Sequence, residues 1–199
     1  MADLRRSTPP PPSAWNLANA VTVLRFLLVP VFGWLLLRSG GDDTASRVAA
    51  FVTFTLAMLS DRADGELARR RGIITDFGKI ADPIADKALT GMAFVGLSIL
   101  GELPWWVTGL VLAREWGITA MRFVVIRYGV MPAGRGGKVK TALQAVALGL
   151  YVLPLGAGFD PVLYVAMTLA VSVTLITGAD YVLQALRLRR AASNGSSAG

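Results

Sequence analysis

The chain has 199 residues, of which 54% are hydrophobic and only 17% charged, with a net charge of +7 and a mean hydropathy of +0.55. So apolar a composition in so short a chain excludes an ordinary soluble domain and fits a multi-pass membrane protein, where excess positive charge marks cytosolic loops and anionic lipid rather than nucleic acid. The chain holds neither cysteine nor histidine, which excludes disulfides, thiolate or imidazole metal sites, histidine bases and Ser-His-Asp chemistry.

The first residues, MADLRRSTPPPPS, carry a proline run with no apolar core of signal-peptide length directly behind it, so residues 1–15 are expected to form a flexible cytosolic tail. Six apolar windows follow, near residues 20–38, 47–68, 80–100, 104–127, 139–158 and 161–186, each of about the 17–25 residues needed to cross a bilayer core. Their connections are short and polar or Gly/Pro-bearing, leaving no room for an inserted soluble domain. One set of loops gathers Arg5 and Arg6, Arg69 to Arg71, Arg127, Arg135, Lys138, Lys140, Arg187, Arg189 and Arg190. The opposite set holds only Arg38 and Arg47 beside Asp42, Asp43, Glu102 and Asp160. This asymmetry predicts an all-α bundle of six transmembrane helices with both termini in the cytosol. Trp105 and Trp106, next to Pro104, read as an interfacial anchor on the outer side. The membrane domain is expected over residues 16–190, with AASNGSSAG at residues 191–199 as a second disordered tail.

The stretch SDRADGELARRRGIITDFGKIADPIADK, residues 60–87, falls on the cytosolic side. Asp61, Asp64, Gly65 and Ala68 share one face of a helix, and Gly78, Asp82 and Asp86 share one face of the next. The short loop between them makes the two helices antiparallel neighbours, so both carboxylate pairs can meet in one crevice. Four bare carboxylates that close repel one another, and divalent cations relieve the repulsion. An all-oxygen donor set favours Mg²⁺ or Mn²⁺, and four carboxylates suffice for two ions. Two other readings stand beside this one. The acids can pair with Arg62, Arg69, Arg70, Arg71, Lys79 and Lys87 in a solvated loop, or line a cation pathway, although they cluster at one surface instead of crossing the bilayer. Gly65 and Ala68 serve either close helix packing or a flat ligand such as a nucleotide base.

The spacing Asp61-x2-Asp64-Gly65-x2-Ala68-Arg69-x8-Gly78-x3-Asp82-x3-Asp86 resembles, at every defined position, the signature of the CDP-alcohol phosphotransferases. The resemblance implies a six-helix membrane fold whose two-metal site faces the cytosol, and transfer of a substituted phosphate from a CDP-linked donor to an alcohol with release of CMP. It assigns Asp61, Asp64 and Asp82 as ligands of two Mg²⁺ or Mn²⁺ ions. Asp86 is expected near the metals as general base. Asn19, Thr22, Asp64, Gly65, Ala68, Arg69 and Gly78 are expected along the CDP portion.

Three further segments resemble the branch of that family whose acceptor is sn-glycerol 3-phosphate. In NLANAVTVLR, Asn19, Thr22 and Arg25 match, with Ala18 where proline is common; Asn16 or Asn19 could equally be a helix N-cap. Ala113-Arg114-Glu115 with Arg122 matches next, and a Glu115–Arg122 pair seven residues apart is its plain structural reading. Last comes GKVKTALQ from Gly137 to Gln144, which is no P-loop, because Pro132 stands where the first glycine belongs. A positive-inside cluster is the plain reading of Lys138 and Lys140. The resemblance instead implies that Arg114, Arg122, Lys138 and Lys140 bind the acceptor's phosphate. Asp180 is left to helix packing or capping. Ala81 stands where a larger apolar residue is usual, which bears on packing. The partners expected are thus CDP-diacylglycerol, sn-glycerol 3-phosphate and membrane lipid, with no nucleic acid. A homodimer is compatible with them, and the location is a bacterial cell membrane with the site facing the cytosol.

Overall fold

Long apolar runs punctuated by Gly, Pro and charge leave the backbone one way to satisfy its hydrogen bonds away from water, which is to bond within helices. The computed structural model follows that constraint. It describes the backbone of residues 17–71, 76–125 and 135–196 and, within these, the side chains of residues 21–60, 81, 83–121 and 136–187. The elements are α1 (Leu17–Leu37), α2 (Thr44–Arg71), α3 (Asp76–Ile99), α4 (Trp105–Val125), α5 (Arg135–Val152) and α6 (Asp160–Ser196), with short 3₁₀ turns at Arg38–Gly41 and Ala157–Phe159. No strand occurs among the described residues. Each helix overlies one of the six apolar windows. The helix α6 runs on to Ser196, past residue 190 where a tail was expected: RLRRAAS contains no helix breaker, and only the last turn takes in Asn194 and Gly195. The proline-rich segment 1–15 lies outside the described residues.

Helix α1 packs on α2 and α3, α5 and α4 pack on α6, and α2 and α3 each also meet α5. Phe32, Leu36, Phe54, Leu89, Phe94, Leu97, Val111 and Leu148 fill the shared interior, and the Phe32 and Phe54 rings meet at 5.5 Å, tilted by 40°. The seam between α1 and α3 depends on missing side chains. A Cβ on Gly96 would stand 2.6 Å from Leu36 Cδ2, and one on Gly33 would stand 2.8 Å from the Met92 sulfur. Small residues at helix crossings let backbones approach, as membrane bundles require. The outer faces carry the opposite chemistry. Leu27 and Trp34 of α1 and Ile176 of α6 are each more than 60% exposed, which only lipid would cover without penalty. The segments Val21–Gly41 and Ala157–Arg187 are long and apolar enough to cross a membrane.

The end of the bundle away from the aspartate stretch is closed by a buried charge. Asp43 caps α2, its carboxylate accepting from the Ser46 N–H at 3.2 Å and from the Ser46 hydroxyl; these bonds hold the Asp43 carboxyl below the usual carboxylate range. One turn on, Arg47 is 5% exposed. Its guanidinium forks onto Glu102 at 2.6 and 2.9 Å and donates to the carbonyls of Tyr151 and Val152 at 2.6 and 3.0 Å, satisfying the open C-terminal end of α5. Glu102 reaches it because α3 ends in a Schellman turn: Gly101 adopts φ +76°, with Glu102 N bonded to Leu97 O and Gly101 N to Ser98 O. Arg47 and Glu102, read in the sequence only as outer-loop charges, thus join α2, the α3–α4 turn and α5.

Gly96→Ala is expected to destabilise the bundle by about 1–3 kcal/mol, because Leu36 is fully buried and has nowhere to move. Gly91→Ala, whose new Cβ would sit at an ordinary 3.6 Å from Leu112 Cδ2, should melt at or above the parent temperature. Thermal unfolding of both variants in one detergent checks the contrast.

Candidate active site

Two groups of polar residues lie toward the end of the bundle where α2 ends and α3 begins. The first is the aspartate stretch. Asp61, Asp64, Gly65, Ala68 and Arg69 fall on the last turns of α2, while Gly78, Asp82 and Asp86 fall on the first turns of α3, which packs beside α2. The backbone is helical at all eight positions, so each aspartate pair is about one turn apart. Pro83 lies inside α3 between Asp82 and Asp86, deleting one backbone bond of that turn. The side chains of Asp61, Asp64, Gly65, Ala68, Arg69, Gly78 and Asp82 lie outside the described residues, as do those of Asn19 and Arg122. Among the described residues no group of three or more acids suited to a metal occurs; Asp86 is the one member of the expected ligand set whose side chain is described. It is half-buried, and a hard carboxylate in a chain without His or Cys is the donor chemistry that Mg²⁺ or Mn²⁺ takes.

On α1, Thr22 and Arg25 are 3% and 2% exposed. They occupy the helix's N-terminal half on the same side, three residues apart, and neither lacks a partner. A guanidinium that deep is costly unless engaged, so Arg25 belongs to the interior rather than to the positive loops.

The second group is more completely resolved. Lys140 of α5 is buried and bonds Glu115 Oε1 of α4 at 2.5 Å. Arg114, beside Glu115, donates to the same Oε1 at 2.9 Å, to the Thr174 carbonyl at 3.1 Å and to the Thr177 hydroxyl at 2.9 Å. Gln144, one turn beyond Lys140, donates to the Thr174 hydroxyl at 3.1 Å. The glycines that open α5 explain the close approach: a Cβ on Gly136 would stand 3.0 Å from Thr177 Cγ2 and one on Gly137 3.5 Å from the Tyr181 hydroxyl. Helix α5, which carries Lys140, packs on both α2 and α3, which carry the aspartates.

Of the four residues expected to hold an acceptor phosphate, Arg114 and Lys140 therefore converge on one carboxylate. Lys138, two residues before Lys140, is exposed, since two helical steps turn it to the other side. Among the described residues Glu115 pairs with Arg114 and Lys140; the alternative partner, Arg122, has no described side chain. Asp180 sits on the α6 surface and accepts from Gln184 at 2.8 Å. Ala81 is buried, so the small side chain fits a closed contact. Thr174, Thr177 and Gly178 of α6 were missed in the sequence. The threonine hydroxyls also bond their own helix, at the Ala170 and Val173 carbonyls, a habit that makes threonine look like filler in an apolar run.

The chain matches the family model described as CDP-alcohol phosphatidyltransferase over residues 15–176. It is 54% identical to a protein of Mycobacterium tuberculosis named probable phosphatidylglycerophosphate synthase, over 86% of this chain and 82% of that one. A Bacillus subtilis CDP-diacylglycerol–glycerol-3-phosphate 3-phosphatidyltransferase is 32% identical, over 84% and 93% respectively. A Streptomyces coelicolor cardiolipin synthase (CMP-forming) is 34% identical, over 88% and 85%.

Replacing Glu115 by Ala should strand the buried Lys140 ammonium and lower stability by roughly 3–5 kcal/mol. Adding Lys140→Met to that variant should recover part of the loss. A double-mutant cycle on thermal or denaturant unfolding reads the coupling, expected at roughly 1–3 kcal/mol.

Proposed function

The chain belongs to the CDP-alcohol phosphatidyltransferase family, and from that premise we propose that it transfers the phosphatidyl group of CDP-diacylglycerol to sn-glycerol 3-phosphate, giving phosphatidylglycerophosphate and CMP. The observation that carries the acceptor is the 54% identity to the mycobacterial protein named for that product. The Ala113-Arg114-Glu115 and GKVKT segments add support by meeting at one carboxylate. Glycerol 3-phosphate brings its own phosphate, which calls for cations; an acceptor without one would not. The cardiolipin synthase relative favours phosphatidylglycerol as the second choice of acceptor.

In this reading Asp61, Asp64, Asp82 and Asp86 would hold two Mg²⁺ or Mn²⁺ ions, which when bound neutralise the donor pyrophosphate and the departing CMP. Asn19, Thr22, Gly65, Ala68, Arg69 and Gly78 line the CDP head, with the small residues leaving room for the base and ribose. Arg114, Arg122 and Lys140 form the cationic end that draws in the acceptor phosphate, and Lys138, turned to the other side of α5, adds its charge to that end from the surface. Asp86 takes the proton of the acceptor's C1 hydroxyl as that oxygen attacks the phosphorus carrying diacylglycerol. One P–O bond forms and the bond to CMP breaks, so no enzyme nucleophile is needed, in keeping with a chain that lacks His and Cys.

The bundle crosses a bacterial cell membrane six times, both termini and the aspartates facing the cytosol. The basic loops support that orientation, as do Trp105 and Trp106, exposed at the start of α4.

Asp86→Asn should lower CMP release from CDP-diacylglycerol and glycerol 3-phosphate by at least about 10²-fold, the usual loss for a missing general base, with an unchanged melting temperature. A chelator should stop the parent enzyme, and added Mg²⁺ or Mn²⁺ should restore it. Retained turnover in Asp86→Asn would overturn the role of the base. Ion flux through liposomes without CMP release would overturn the enzyme reading itself.

A further inference from the structure

Arg114 lies flat across α6, and α6 is shaped to receive it. Its Nε donates to the Thr174 carbonyl and its Nη2 to the Thr177 hydroxyl, at 3.1 and 2.9 Å. The Thr177 hydroxyl spends its own proton on the Val173 carbonyl at 2.7 Å, which leaves its lone pairs for the guanidinium. The next residue is Gly178, where a Cβ would stand 3.1 Å from Arg114 Nε and 3.2 Å from Cγ. A side chain there would lift the guanidinium off the helix. With Nε and Nη2 fixed, Nη1 is aimed at Glu115 Oε1, the same oxygen that holds the Lys140 ammonium. Gln144 clamps the same turn of α6 through the Thr174 hydroxyl. The chain of contacts runs from α6 to α4 to α5 and ends at the Lys140 ammonium, on the helix that packs against α3.

We propose that Thr177 and Gly178 are positioning residues for the acceptor: through Arg114 and Glu115 they set where the Lys140 ammonium stands, and so govern how well the phosphorylated acceptor is held. Neither residue touches a reacting atom, and both lie beyond the residues that match the family model. The inference rests on the cationic end being the acceptor's, as proposed above, and goes beyond it by assigning work to α6.

The test is steady-state kinetics of the full-length enzyme in mixed micelles, varying donor and acceptor separately, on Thr177→Val, Thr177→Ser and Gly178→Ala. The acceptor is whichever phosphate-bearing alcohol supports CMP release by the parent enzyme, so failure of glycerol 3-phosphate beside success of another would sink the acceptor assignment without touching this inference. T177V and G178A should each raise the acceptor KM about tenfold, the effect of losing one hydrogen bond to a charged group. Their kcat and donor KM should move less than threefold, and T177S, which keeps the hydroxyl, should stay within twofold of the parent throughout. A parent-like acceptor KM in either T177V or G178A overturns the proposal. So does a parallel loss of kcat and donor affinity, or a collapse of the fold, in either variant, since that would mark the residues as structural only. T177S behaving like T177V also overturns it.

Discussion

A single carboxylate oxygen ties three helices of this bundle together near one end. Glu115 Oε1 accepts from Arg114 and from Lys140, and through them it ties α4 to α6 and α5. Inside an apolar bundle neither a lone glutamate nor a lone lysine would stay charged, so each cation and the anion require the others. Everything else at that end adapts to the arrangement. Glycines at positions 136 and 137 bring α5 down onto α6, Gly178 clears the path of Arg114, and threonines on α6 offer oxygen where the guanidinium's remaining donors point. The far end repeats the principle with different parts: Arg47 binds Glu102 and the end of α5, reached by way of the Gly101 turn.

Between these two polar clamps the packing is plain. Phenylalanine and leucine side chains fill the centre and glycines let α1 meet α3 closely. The exposed aliphatic and tryptophan side chains face outward, where lipid is the fitting solvent. A frame held at both ends is suited to carry the site proposed between α2 and α3, where in that reading acids are kept near each other against their own repulsion. In the proposed reading the acids perform the transfer and the basic cluster chooses the alcohol.

Much of this was legible in the sequence, for definite reasons. Apolar windows bounded by Gly, Pro and charge located the six long helices among the described residues, since hydropathy and helix length are the strongest signals a membrane chain carries. The spacing of Asp61, Asp64, Gly65, Ala68, Arg69, Gly78, Asp82 and Asp86 carries the family resemblance, because fixed positions across two helices leave little room for coincidence. Pairing was the part that stayed hidden. Arg47 and Glu102 are 55 residues apart and Lys140 and Glu115 are 25 apart, distances over which sequence carries charge but not contact. Arg114 and Lys140 read as anion binders by residue type, whereas the fold shows them sharing a glutamate as well. The threonines of α6 disappeared into an apolar run because their hydroxyls are satisfied within the helix.

The identity of the acceptor alcohol decides the reaction, and a labelling assay reads it. Purified protein in micelles containing CDP-diacylglycerol and a divalent cation is offered radiolabelled sn-glycerol 3-phosphate, and lipid-extractable label is followed alongside CMP. The account predicts that label enters a lipid bearing two phosphates, one molecule for each CMP released, and that neither phosphatidylglycerol nor inositol phosphate substitutes at comparable rate. No labelled lipid with glycerol 3-phosphate, together with CMP release on another alcohol, would contradict it.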